Sequence, residues 1–184
     1  MPPPPRHSST RQPFDLRAAS TADAERLTRA VMDGLEGYRS FAPPGWAPPS
    51  FLHEVEHLRR LLGDEQVWCL LAEAAGQLVG QVTVLPAAHA ARPVDDRALA
   101  HLRNLFVRHD FWGTGVASAL HAAAVDAARD RGFAQMRLFT PARHDRARRF
   151  YEREGWVPAG EEFHDAAPDL VLIEYRYALR NRRP

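Results

Sequence analysis

Apolar positions along the chain switch between two spacings, one of two residues and one of three to four, and the switches predict eleven elements. Phe14 to Ala18 alternates in polarity as a short strand does, after which Ser20 or Thr21 can cap a helix running to about Gly37. Within that helix Ala24, Leu27, Val31 and Leu35 recur at helical spacing and are expected to face a sheet. A second helix from Ser50 to Leu62 carries Phe51, Leu52, Val55, Leu58 and Leu62 on one stripe and is stopped by Gly63. Gln66 to Glu73 and Gln77 to Leu85 read as strands whose short Ala-Ala-Gly link predicts an antiparallel hairpin. Ala98 to Val107 is a further strand, and it delivers the chain to a glycine turn. The helix that follows, Gly115 to Arg131, turns Val116, Leu120, Ala123 or Ala124, and Ala127 inward before Gly132 ends it. Met136 to Thr140 is a strand, His144 to Glu154 a helix, and Trp156 to Glu162 and Leu170 to Leu179 are closing strands joined by a loop over 163–169.

Between the first helix and the second lies a stretch with no regular pattern, residues 38–49, in which four prolines and a glycine accompany Tyr38, Phe41 and Trp46. Large aromatic surfaces on such a loop either pack or bind something.

Composition narrows the picture. With 184 residues and 45% hydrophobic content the chain can bury one core, so a single domain over 14–180 is expected between tails at 1–13 and 181–184. The prolines at 2–5 and the polar residues after them are expected to leave the first tail disordered. Lys and Arg number 24 against 23 Asp and Glu, a balance that speaks against a coat for nucleic acid or anionic membrane. The single Cys69 cannot form an internal disulfide, and its neighbours Trp68, Leu70 and Leu71 predict a buried thiol. No apolar run reaches the length of a membrane span and no secretory leader is evident, so a cytoplasmic protein without a membrane partner is expected.

Chemistry concentrates on residues 105–120. Gly113 and Gly115 lack Cβ atoms, so backbone N–H groups can approach a ligand where a helix start adds partial positive charge, and such a nest favours phosphate. No lysine follows either glycine, which excludes the nucleoside-triphosphate loop. Ser118 stands at the third glycine position of the dinucleotide fingerprint, and no acidic residue follows at the expected distance. His53-Glu-Val-Glu-His57 satisfies the zinc-hydrolase pattern H-E-x-x-H, but Leu58 to Leu62 offers no third ligand, and both imidazoles lie on the polar side of their helix. Two solvated histidines and no metal are therefore expected there.

Leu105-Phe106-Val107 followed by Trp112-Gly113-Thr114-Gly115-Val116-Ala117 resembles motif A of the GCN5-related N-acetyltransferases (GNAT), a strand ending in Leu-x-Val and then Arg/Gln-x-x-Gly-x-Gly/Ala at a helix start. A second signature of that family resembles His144-Asp-Arg-Ala147, Phe150-Tyr151 and Gly155-Trp156, and the order of elements agrees over about 14–179. Trp112 replaces the family's Arg or Gln, and His144 its Asn. The resemblance implies an α/β fold in which about four helices flank a mixed, mostly antiparallel sheet of six to seven strands. It implies acetyl-CoA as co-substrate and acetyl transfer to a primary amine of a small molecule or peptide, by direct attack in a ternary complex. Leu105, Phe106 and Val107 would pair with the pantetheine, Trp112 to Ser118 and His144 would hold the cofactor, and the Val107 N–H would polarise the acetyl carbonyl. Tyr151 stands where the family places its general acid.

The base has two candidates. His101 shares one strand face with Arg103, Leu105 and Val107 by alternation, in a stretch resembling the arylalkylamine branch, and Glu73 is the second choice through a water. The acceptor would meet Tyr38, Phe41 and Trp46 on one side and the carboxylates Glu161, Glu162, Asp165 and Asp169 on the other, which favours a cationic amine. Homodimers are common in the family. The alternatives are a non-catalytic acyl-CoA sensor on the same fold and, more distantly, the zinc hydrolase.

Overall fold

A computed structural model describes residues 13–166 and 169–179; of the expected tails, only Pro13 falls within the described residues. Seven strands, β1 (Asp15–Ala18), β2 (Trp68–Ala74), β3 (Gln77–Pro86), β4 (Leu99–Val107), β5 (Gln135–Pro141), β6 (Val157–Asp165) and β7 (Leu170–Ala178), alternate with four helices, α1 (Ala24–Glu36), α2 (Phe51–Leu62), α3 (Val116–Asp130) and α4 (Asp145–Arg153). They form one sheet in the order β1-β2-β3-β4-β5-β7-β6, antiparallel throughout except between β4 and β5.

The hairpin of β2 and β3 turns on Ala75 and Gly76, both at positive φ, which matches the twist of the strands it joins. Helices α3 and α4 cover one face through Val116, Leu120, Ala124 and Tyr151, packed on Val82, Val84, Met136 and Tyr175. α1 and α2 cover part of the other, where Ala24, Leu27 and Leu58 meet Cys69 and Leu71. Cys69 is buried, and burial pushes its thiol up to about 11, as expected for an inert core cysteine. Leu52, expected on the buried stripe of α2, is 77% exposed, and Val55 and Leu58 carry the contact instead. β6 continues through Asp165, so residues 163–165, expected in the loop, extend the strand that carries Glu161 and Glu162.

One irregularity in β4 was not legible in the alternation. Thr83 pairs with Arg103 and Gln81 with Phe106, so Asn104 and Leu105 together oppose the single residue Val82. This is a β-bulge, and Asn104 takes a φ of +49°, a left-handed conformation that asparagine tolerates better than most residues. The bulge reverses the alternation beyond it. Arg103 and Phe106 share the face of Thr83 and Gln81, while Leu105 and Val107 pack on the α3 side. His101, Arg103, Leu105 and Val107 therefore do not share one face.

Candidate active site

β4 and β5 pair only at Leu99 with Gln135, Ala100 with Met136 and His101 with Arg137, and then diverge. The rest of β4 turns an unpaired edge toward a cleft of about 640 Å3. Leu105, Phe106 and Val107 form one wall, the turn at Trp112 to Gly115 and the start of α3 a second, and α4 a third, with Leu35 and Tyr38 at the end nearest α1.

The glycine turn has the geometry that its sequence demands. Gly113 has a φ of +79° and Gly115, capping α3, one of +97°. A Cβ built on either would meet no atom within 4 Å, so the turn is open on its cleft side. Trp112 is fixed over the end of β4 because its indole N–H donates to the Val107 carbonyl at 2.8 Å. Three arginines of α4, Arg146, Arg149 and Arg153, also line the cleft, and no acidic residue does. Positive charge and helix-start amides thus converge on one cleft, the arrangement that suits a polyanion.

Tyr151, also on α4, is 7% exposed and packs among Phe150, Trp156 and Tyr175. Burial, reinforced by Tyr38, raises its phenol well above the ordinary value, so it stays protonated at any working pH. His144 lies against Tyr38 and Phe41, with ring centroids 5.5 and 5.2 Å away. Burial and the nearby Arg146 lower its imidazole below the usual range, which keeps it neutral near pH 7.

The model of the Acetyltransferase (GNAT) family matches residues 33–156. The chain belongs to the GNAT acetyltransferase family. It is similar to N-acetyltransferase 8 of Rattus norvegicus, 33% identical over 112 residues, and to that of Mus musculus, 34% identical over 116 residues. Each match takes in 59% of this chain, which spans about half the length of these relatives, 49% and 48%. Among solved structures, a GNAT acetyltransferase from Staphylococcus aureus Mu50 superposes with a TM-score of 0.72 over 91% of this chain and all of that one, at 13% identity. The Salmonella typhimurium protein yncA, whose structure holds its cofactor acetyl-CoA, superposes with a TM-score of 0.66 over 93% of this chain and 96% of its own, at 16% identity. Both share the fold, and the mixed seven-stranded sheet with four helices is the GNAT arrangement.

The GNAT cleft gathers most of the expected residues. Leu105, Phe106, Val107, Trp112, Gly113, Gly115, Ala117, Ser118, His144, Tyr151 and Tyr38 all line it. Thr114 and Val116 do not. The Thr114 hydroxyl donates to the Phe111 carbonyl at 2.7 Å, and Val116 is buried beneath the turn. Phe41 lines a separate cavity of about 320 Å3 beside Pro43 and His164, and Trp46 is buried against Leu170 and Leu172. Trp46 thus serves as packing, which is what apolar surface on a rigid loop does when a hairpin lies within reach.

Neither expected base reaches the cleft. His101 sits at the last rung that β4 shares with β5 and packs on Phe139. Burial, then Arg137 and Arg103, push its imidazole down to about 3, and Nδ1 has no partner. Glu73 is held by Arg17 at 3.0 Å and by Arg26, and the Arg17 hydrogen bonds in particular hold its carboxyl below the usual range. The H-E-x-x-H stretch is also engaged elsewhere. His57 accepts from Arg103 at 2.6 Å and Glu54 faces the same guanidinium at 3.7 Å, so His57 is not a solvated residue. Among the described residues no group of three or more His, Cys, Asp or Glu side chains could hold a metal. No helix among them is long and apolar enough to cross a membrane. The residues missed from sequence are Arg146, Arg149 and Arg153, although their helical spacing already placed them on one face of α4.

Proposed function

We propose that the chain is an acetyl-CoA-dependent N-acetyltransferase acting on a primary amine by direct attack in a ternary complex. The observation that carries this reading is the cleft itself, which is lined together by an open phosphate turn, a cationic helix and, on that helix, a buried, protonated phenol. The residues present fit coenzyme A, since the glycine turn is unobstructed and the free edge of β4 offers amides to an extended pantetheine. When bound, acetyl-CoA supplies an activated acyl thioester.

The chain's own residues then have distinct tasks. Amides of Gly113 to Ala117 bind phosphate at the start of α3. Arg108 N–H donates to Val79 on the β3 side, so by alternation Val107 and Leu105 direct their N–H groups to the open edge. Because the bulge sets Leu105 apart from the ladder, the Leu105 amide, in place of the expected Val107 amide, donates to the developing oxyanion. Tyr151 donates a proton to the departing sulfur. His144, neutral and on the cleft, takes the proton of the attacking amine, a task for which His101 and Glu73 are misplaced. The exposed carboxylates Glu161 and Glu162 on β6 favour an acceptor that is cationic before it reacts.

Thiol release from acetyl-CoA, measured against cationic, neutral and anionic amines, tests this reading. Release with at least one amine, fastest among the cationic ones, is expected. Tight binding of acetyl-CoA without release on any amine would instead make the protein a sensor.

A further inference from the structure

Position 112 is one of two motif positions at which this chain departs from its family, and the structure places a cation there from another element. The Arg146 guanidinium lies 3.5 Å over the centre of the Trp112 ring, while the indole N–H is anchored on Val107. A cation stacked on an indole is attracted to the ring face and restricted in its rotamers. Among the arginines that line the cleft, charge pairing separates Arg146 and Arg149 from Arg153. Arg17, Arg26, Arg29, Arg39, Arg59 and Arg108 each meet a carboxylate within 4 Å. Among the described residues Arg146 and Arg149 meet none, and Arg153 at the far end of α4 meets Glu154 at 3.4 Å. Burial lowers the Arg146 guanidinium somewhat, with Arg149 adding to the effect, as happens to a cation held beside another with no counter-charge. Two unpaired arginines one helical turn apart, facing an open nest of amides across a cleft without an acidic residue, are half of an ion-pair system.

The geometry points to Arg146, held in place by Trp112, as the cation that grips the coenzyme A pyrophosphate, with Arg149 one turn further along α4 gripping a second phosphate group, the 3′-phosphate. The proposal rests on the reading of the cleft as the coenzyme A site. In it Trp112 is a positioning residue, and the guanidinium that the family's loop carries in its own side chain is supplied across the cleft by a helix.

Calorimetric titration of the full chain with coenzyme A and with dephospho-coenzyme A tests it without any acceptor. A charge-assisted contact to phosphate is worth about 10- to 100-fold in affinity, so Arg146→Ala is expected to weaken both ligands by that factor. Arg149→Ala should weaken coenzyme A by a similar factor and leave dephospho-coenzyme A unchanged. Introducing Trp112→Arg into the Arg146→Ala background should recover most of the loss, because it returns a guanidinium to the loop. Arg59→Ala, on a distant exposed helix face, controls for net charge, and thermal unfolding of each variant controls for folding. Wild-type protein that binds coenzyme A while Arg146→Ala binds equally well would overturn the proposal and leave the reading of the cleft intact. Failure of Trp112→Arg to recover any affinity would also count against it. Wild-type protein that binds neither ligand would overturn both.

Discussion

Replacing Gly115 by alanine adds one methyl group at the point where the cleft needs none. The backbone there has φ +97° and ψ −4°, a conformation that costs an L-residue about 1–2 kcal/mol. The new Cβ would meet no protein atom within 4 Å, so there is no overpacking cost to add. For a domain of this size that strain corresponds to a fall in melting temperature of about 2–8 °C. Binding should suffer more. The methyl projects from the turn that is to hold phosphate, and relief of strain turns the amides of Gly115 and Val116 away from it. Losing one charge-assisted hydrogen bond costs about 1.5–3 kcal/mol, or about 10- to 100-fold in the dissociation constant for coenzyme A. Thermal unfolding of the ligand-free protein and calorimetric titration with coenzyme A measure the two effects separately. A Gly115→Ala protein that melts a few degrees lower and binds coenzyme A with undiminished affinity would refute this account of the turn.

Tyr151→Phe removes a hydroxyl while keeping the ring packed on Phe150, Trp156 and Tyr175, so turnover should fall by about 10²- to 10⁴-fold with little change in coenzyme A affinity, as read by steady-state kinetics and calorimetry. His144 must be neutral to accept a proton and its folded value lies below 6.5, so the acid limb of the pH profile of kcat/KM should fall below pH 6.5 and disappear in His144→Asn; an unchanged limb would remove His144 from the mechanism. Asp23, hydrogen-bonded to Arg17 and to the backbone of Ser20, is held at about 2; because its folded value is depressed, its contribution to stability is present above about pH 4 and lost as pH falls toward 2. Asp23→Asn should therefore lower stability by about 1–2 kcal/mol at pH 7, discounted for the partial exposure of Arg17, with the difference from wild type vanishing in acid denaturant titrations.

What the sequence disclosed was set by local physics. Gly113 and Gly115 announced a sharp turn, which the structure builds with both at positive φ, and the inward face of α3 followed from the spacing of Val116, Leu120, Ala124 and Ala127. The bulge at Asn104 and Leu105 depends on how β4 registers against β3, which no periodicity encodes, and it reversed the alternation used to group His101 with Leu105 and Val107. His101 looked suited to proton transfer by residue type and strand, but only the burial beside Phe139 and Arg137 revealed that its imidazole is driven deeply into the neutral form away from the cleft. The same holds for Glu54 and His57, whose short motif matched a zinc pattern until Arg103 was seen to claim both. Arg146 was legible as a charge on a helix, and not as the partner of Trp112, since the two are brought together by the packing of α4 against the loop.

The central claim is that this cleft moves an acetyl group from coenzyme A to an amine with Tyr151 as the proton donor. Its most direct measurement is the mass of the amine product, together with thiol release, after incubation of wild-type and Tyr151→Phe protein with acetyl-CoA and the most reactive amine of the panel. Stoichiometric N-acetylation by the wild type, with turnover reduced at least about 100-fold in Tyr151→Phe while coenzyme A still binds, is the predicted result. Thiol release that yields free acetate and no acetylated amine, or equal turnover by both proteins, would contradict it.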